Sequence, residues 1–187
     1  MITITLNKIK AHDPCQDGWK TLLASKGKTK ADNVEFPLID VLDSNGLDDA
    51  LWCLRCLPEH NDKWRLLAVS FARGVEHLMQ DKRSINALEV AERHARGKAT
   101  DEELRDARHA AWHAAIAAIA AKAVARTAAK AVASAAASAA EKDAAWHAAI
   151  AAWHANDAAW YANGVSAGVA ARAKQENLLR AALAEAA

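Results

Sequence analysis

The chain has 187 residues, a net charge of +1 at pH 7 and 52% hydrophobic residues, a share that alanine inflates. That length leaves room for one ordinary domain, or a small one with a helical extension. Residues 1–100 carry 15 Lys/Arg against 14 Asp/Glu and residues 101–187 carry 9 against 9, so neither half has the basic excess of a nucleic-acid binder or the acidic excess of a DNA mimic.

Ile2-Thr3-Ile4-Thr5-Leu6 alternates with period two and predicts a short edge strand or an extended arm lying on helices. The N-terminus lacks the apolar core of a signal peptide, and three cysteines, an odd number, suit a reducing cytoplasm. Asp13-Pro14 predicts a helix start, with Asp as N-cap and Trp19, Leu22 and Leu23 turned inward. Ser25–Lys30 reads as a solvated connector rather than an anion-binding loop, because no strand feeds it. Glu35–Asp43 predicts a short helix closed by Ser44-Asn45-Gly46. Asn45 or Gly46 then opens a helix with Asp48 and Asp49 in its first turn, where the helix dipole favours negative charge. Leu47, Ala50, Leu51, Leu54 and Leu57 form its apolar stripe, and Pro58 stops it. Asn61 or Asp62 caps the next helix, which buries Trp64, Leu67, Ala68, Phe71, Val75 and Leu78. Asp81 starts another through Ile85, Leu88 and Ala91, ended by Gly97.

Thr100-Asp101-Glu102-Glu103 is a capping box, and beyond it the composition changes. Residues 107–187 hold 39 alanines, two glycines and no proline. Alanine has the highest helix propensity, so long helices follow, with a turn expected near Ala137–Asp143 and a last helix over Val165–Glu185. Charges interrupt this tract every 14 residues or fewer, short of the roughly 18–20 apolar residues a membrane span needs. The segment AAWHAAI occurs at Ala110–Ile116 and again at Ala144–Ile150, where it opens a run placing Trp146, Trp153 and Trp160 seven residues apart. As the largest residues there, the indoles are expected to fill the seam between alanine helices; the alternatives are an exposed binding patch or a homodimer seam.

The expected architecture is all-α. A helical core over 1–98 is followed by a long-helix region over 99–187 that packs on it as an antiparallel hairpin or a coiled-coil extension.

Asn45–Arg55 (NGLDDALWCLR), Phe71–Leu78 (FARGVEHL) and Ala87–Ala115 (ALEVAERHARGKATDEELRDARHAAWHAA) resemble an immunity-protein-like family of phages and bacteria. The resemblance covers roughly Asn45–Ala118. It implies a small helical protein that binds and neutralises a partner: a bacterial toxin or, for a phage, a host defence component. It carries over no catalytic residue.

Among residues that could carry chemistry, Cys53-Leu54-Arg55-Cys56 is a single CxxC, which zinc could share with His60, Cys15 or His12. Zinc sites usually use two ligand pairs, and this motif sits among leucines, so buried small hydrophobes are expected. His109 and His113 with Asp106, and His147 and His154 with Asp143, are spaced for a metal pair or an acid-base couple, yet three of the histidines follow a tryptophan and belong at the border of the buried stripe, as a solvated or interhelical hydrogen-bonding edge or a pH-sensitive interface. Arg55, Arg65 and Arg73 are candidates for a shared surface. The expectation is a non-enzymatic cytoplasmic binding protein with no cofactor and no metal. It uses no membrane or nucleic acid and forms a homo-oligomer. Its partner or oligomer interface is centred on Trp112, His113, Trp146, His147, Trp153, His154, Trp160 and Tyr161. The alternatives are a protein that sequesters a small signalling nucleotide between helices, and a purely structural oligomer.

Overall fold

The computed structural model describes residues 1–79, 81–117, 127, 130, 131, 144–163 and 165–184. Over these residues the fold is all-α with one small two-stranded sheet. Strand β1 (Thr3–Thr5) runs antiparallel to β2 (Glu35–Pro37), with Ile4 opposite Phe36. The helices are α1 (Leu6–Lys10), α2 (Gln16–Ser25), α3 (Ile39–Asn45), α4 (Leu47–Cys53), α5 (Asn61–Arg73), α6 (Lys82–Ala95), α7 (Asp101–Ala117), α8 (Ala144–Asn163) and α9 (Val165–Ala184), with 3-10 turns at Leu54–Cys56, Pro58–His60 and Glu76–Leu78.

The N-terminal alternation does form a strand, but its partner corrects the sequence reading. Glu35–Pro37 is extended rather than helical, and the helix starts only at Ile39. Pro37 is the physical reason: its ring disfavours the α conformation at Phe36 and supplies no amide proton to a helix. The helix expected at Asp13-Pro14 also starts later. Asp13 adopts a left-handed φ of 52°, and Cys15 is the N-cap, its Sγ accepting from the Gly18 amide at 3.4 Å. Further along, local signals hold. Gly46, at φ 88°, is the N-cap of α4, a conformation that strains any residue with a Cβ. Asp81 caps α6, and Gly97 leaves it with φ 69°. The capping box is closed in both directions, with Thr100 N donating to Glu103 Oε2 at 2.8 Å and Glu103 N to Thr100 Oγ1 at 3.1 Å.

Helix α5 buries a broad face, Trp64, Leu67, Ala68, Val69, Phe71 and Ala72, and so sits between other helices. It packs against α6, α8 and α9. The C-terminal helices are built into the core of the N-terminal part: Ala152, Leu179 and Leu183 join the cluster of Ile2, Ile4, Leu6, Leu38, Leu54 and Trp64. Main-chain bonds tie the same regions, Ile2 N donating to Leu183 O at 3.0 Å and Leu38 N to Ile2 O at 2.9 Å. Helices α8 and α9 form an antiparallel pair in which Gln175 faces Ala152. The turn expected at Ala137–Asp143 lies outside the described residues. No helix among the described residues is long and apolar enough to cross a membrane.

Candidate binding site at a tryptophan–arginine cleft

Helix α8 buries alanines. Ala148, Ala151, Ala152, Ala155 and Ala158 recur at three- and four-residue spacing, and each is at most 2% exposed. Methyl-sized side chains let α8 lie close against α5 and α9, where an indole would force the helices apart. Trp112, Trp146 and Trp153 therefore fall outside the seam they were expected to fill. Trp146 is 49% exposed, Trp153 57%, and Trp112 on α7 60%. The spacing of seven does put Trp146 and Trp153 on one stripe of α8, but that stripe faces outward from the alanine seam. His113 is exposed beside Trp112, and His154 is half-buried with its ring 4.9 Å from that of Trp153. The side chains of His147, Trp160 and Tyr161 lie outside the described residues.

The indoles of α8 meet a second element. The turn from α4 into the 3-10 helix at Leu54–Cys56 carries Trp52 and Arg55, three residues apart and so on one face. Leu51 and Leu54 of the same turn are buried, which fixes its orientation. The Arg55 guanidinium lies 4.9 Å from the Trp52 ring centre and 5.3 Å from that of Trp146, within cation–π reach of both. Its Nε is buried without a hydrogen-bond partner. Across the gap, α9 contributes Arg172, held bidentately by Asp48 of α4 at 2.8 and 2.9 Å. Together Asp48, Trp52, Arg55, Trp146, Trp153 and Arg172 border a cleft of about 160 Å³ floored by Leu51, Ala149 and Ala152.

The three arginines grouped from sequence have different partners. Arg65 pairs with Asp62 at 2.5 Å, and Arg73 bridges Glu76 and Glu92 at 2.9 and 2.8 Å. Those two acids hold the Arg73 guanidinium above its ordinary pKa, against its desolvation, and Glu92 is correspondingly lowered by Arg73. Arg55, by contrast, forms no ion pair with any carboxylate among the described residues. Trp52, Asp48 and Arg172 escaped the sequence reading. Trp52 could have been found, since it lies off the leucine stripe of α4 and one helical step from Arg55. The Arg172–Asp48 pair joins residues 124 apart in sequence and has no local signature.

Cys53 and Cys56 are 3% and 4% exposed, as expected of small core residues. Burial pushes the Cys56 thiol up to about 11 and that of Cys53 further in the same direction, so neither is a thiolate near neutral pH. Cys15 is engaged as a helix cap, and His60 stacks edge-on against Trp64 at 5.8 Å. Among the described residues no group of three or more His, Cys, Asp or Glu is placed to hold a metal ion. The cleft offers aromatic faces and cationic hydrogen-bond donors, which suits binding. Comparison with protein-family models, with curated proteins and with solved structures finds no match to this chain.

Proposed function

We propose that this chain is a non-enzymatic binding protein of the immunity or inhibitor type, which neutralises a protein partner by covering it. The observation that carries this reading is the exposure of Trp112, Trp146 and Trp153 on helices whose packing is done by alanine. An indole contributes nothing to a seam it does not enter, while large exposed aromatics with nearby arginine have the composition of interface hot spots. The resemblance over Asn45–Ala118 supports the same role and suggests a phage-encoded protein acting in the host cytoplasm on a toxin or a defence component. A surface of this kind can also take a second copy of the chain, which makes self-association the competing occupant.

The test is affinity capture from a bacterial host lysate with the wild-type chain and with Trp112→Ser/Trp146→Ser/Trp153→Ser, whose helical content should be unchanged. A protein retained by the first and lost by the second, whose activity the wild-type chain suppresses in a purified mixture, supports the proposal. Equal capture by both proteins overturns it. So does a dimer in light scattering that the triple variant dissolves while no foreign protein is captured.

A further inference from the structure

We infer that the cleft between α4, α8 and α9 is a binding site for a nucleotide, its base on the indoles and its phosphate on the guanidinium groups. The inference stands on the cleft itself and needs no protein partner. Its volume of about 160 Å³ is close to that of cavities of about 150 Å³ that hold one benzene ring, so it admits an aromatic ring.

Three features select the ligand. The first is an unmatched cation. Arg172 has Asp48, but Arg55 has no ion-paired carboxylate among the described residues, and the border carries two guanidiniums against one carboxylate, a net +1. An anion is the missing partner, and a guanidinium matches phosphate oxygens through paired N–H donors. The second is that Arg55 is already ordered. Contact with Trp52 and Trp146 holds its planar head, so little rotamer freedom remains to be lost on binding. The third is that Trp153 borders the cleft with more than half its surface exposed. A π-face beside a phosphate-binding cation is the pairing used to hold nucleotides, base on ring and phosphate on arginine.

Asp48 is the opposing element. Its carboxylate is 79% exposed and sits at the same border, where it repels an incoming phosphate and competes for Arg172. That competition gives the proposal a signature that a merely sticky aromatic patch would lack, because removing the acid should strengthen binding while removing Arg55 should weaken it.

The experiment is isothermal titration of the full chain with AMP, GMP and cyclic AMP, alongside adenosine, inorganic phosphate and the acidic aromatic peptide acetyl-Asp-Trp-amide. Saturable binding of at least one nucleotide is expected, weakened on the order of tenfold by Trp153→Ala, the size of one lost stacking contact. Arg55→Gln should weaken it similarly, and Asp48→Asn should tighten it several-fold. Melting curves confirm that each variant is folded, and Arg172→Gln repeats the charge test if Arg55→Gln is not. Adenosine and phosphate should each bind more weakly than the nucleotide. The proposal is overturned if no nucleotide saturates the chain at millimolar concentration, or if Asp48→Asn weakens binding. It is equally overturned if the peptide binds more tightly than every nucleotide, which would make the cleft a protein-docking site.

Discussion

The Gln175 side chain, buried on α9, donates from Nε2 to the main-chain oxygen of Ala152 on α8 at 2.6 Å. It is a polar tie beside the buried Ala152, Leu179 and Leu183. The tie fixes how far α9 is displaced along α8, and so where Arg172 and Trp153 stand relative to each other. Gln175→Ala should destabilise the fold by about 1–2 kcal/mol, the net value of a buried hydrogen bond with some lost packing. Gln175→Glu should cost more, since at neutral pH it turns a carboxylate toward a carbonyl oxygen with no donor between them. Urea unfolding of the three proteins checks the order; a Glu variant as stable as wild type would mean that the amide nitrogen is not the tie.

Trp64 and Trp153 lie in opposite environments. Trp64 is fully buried in α5 and donates its indole N–H to Leu57 O at 3.1 Å, whereas Trp153 is 57% exposed. Trp64→Ala should cost on the order of 3–5 kcal/mol, chiefly through its cavity, since Leu57 O still accepts from His60 N at 3.1 Å. Trp153→Ala should change stability by less than about 0.5 kcal/mol, as surface substitutions usually do. Comparable losses in chemical denaturation would place the Trp153 indole in the core after all.

How far the sequence reaches is clear from these same residues. Local rules found the capping box at Thr100–Glu103, the caps at Asp81 and Gly97, and the leucine stripe of α4, because each is decided within one or two helical turns. The strand at Glu35–Pro37 was also within reach, since Pro37 argues against the helix that apolar spacing suggested. The side of α8 that faces inward was not. Heptad spacing says that Trp146 and Trp153 share a stripe, but which stripe is buried depends on how closely α5 and α9 approach. Alanine wins there because close approach adds contacts along the whole helix, which one large side chain cannot match. The cleft was the least legible part, because Arg172, Asp48 and Trp146 converge only once α8 and α9 have folded back onto α4.

The alanine seam carries its own prediction. Ala151 is fully buried in the cluster that also holds Ala68, Ala72, Leu88 and Leu104, where α8 packs on α5. Ala151→Leu should destabilise by about 1–3 kcal/mol, because three extra carbons have no space without moving a helix. Ala173→Leu, on the exposed side of α9, should be tolerated within about 0.5 kcal/mol. Thermal melts of the two variants compare like substitutions in unlike places; equal tolerance would show that the seam is loosely packed.

His154 gives the fold a pH dependence whose sign follows from its surroundings. Desolvation lowers its pKa from the ordinary 6.5, Lys130 lowers it further, and Asp157 acts against both. The folded chain therefore takes up the imidazole proton less readily than the unfolded chain, and stability rises with pH wherever the unfolded state binds more protons. The contribution is fully present above about pH 6.5 and is lost as pH falls through the lower folded value. Carboxylates such as Glu92 and Asp81, whose pKa values arginine partners lower, lose their contribution only below their ordinary values of 4.5 and 3.8. The two windows are separate. Between pH 7.5 and 5 the melting temperature of the wild-type chain should fall, while that of His154→Gln should stay nearly level. Below pH 4 both should fall together. Parallel curves throughout would mean that the imidazole is as well solvated in the folded chain as in the unfolded one.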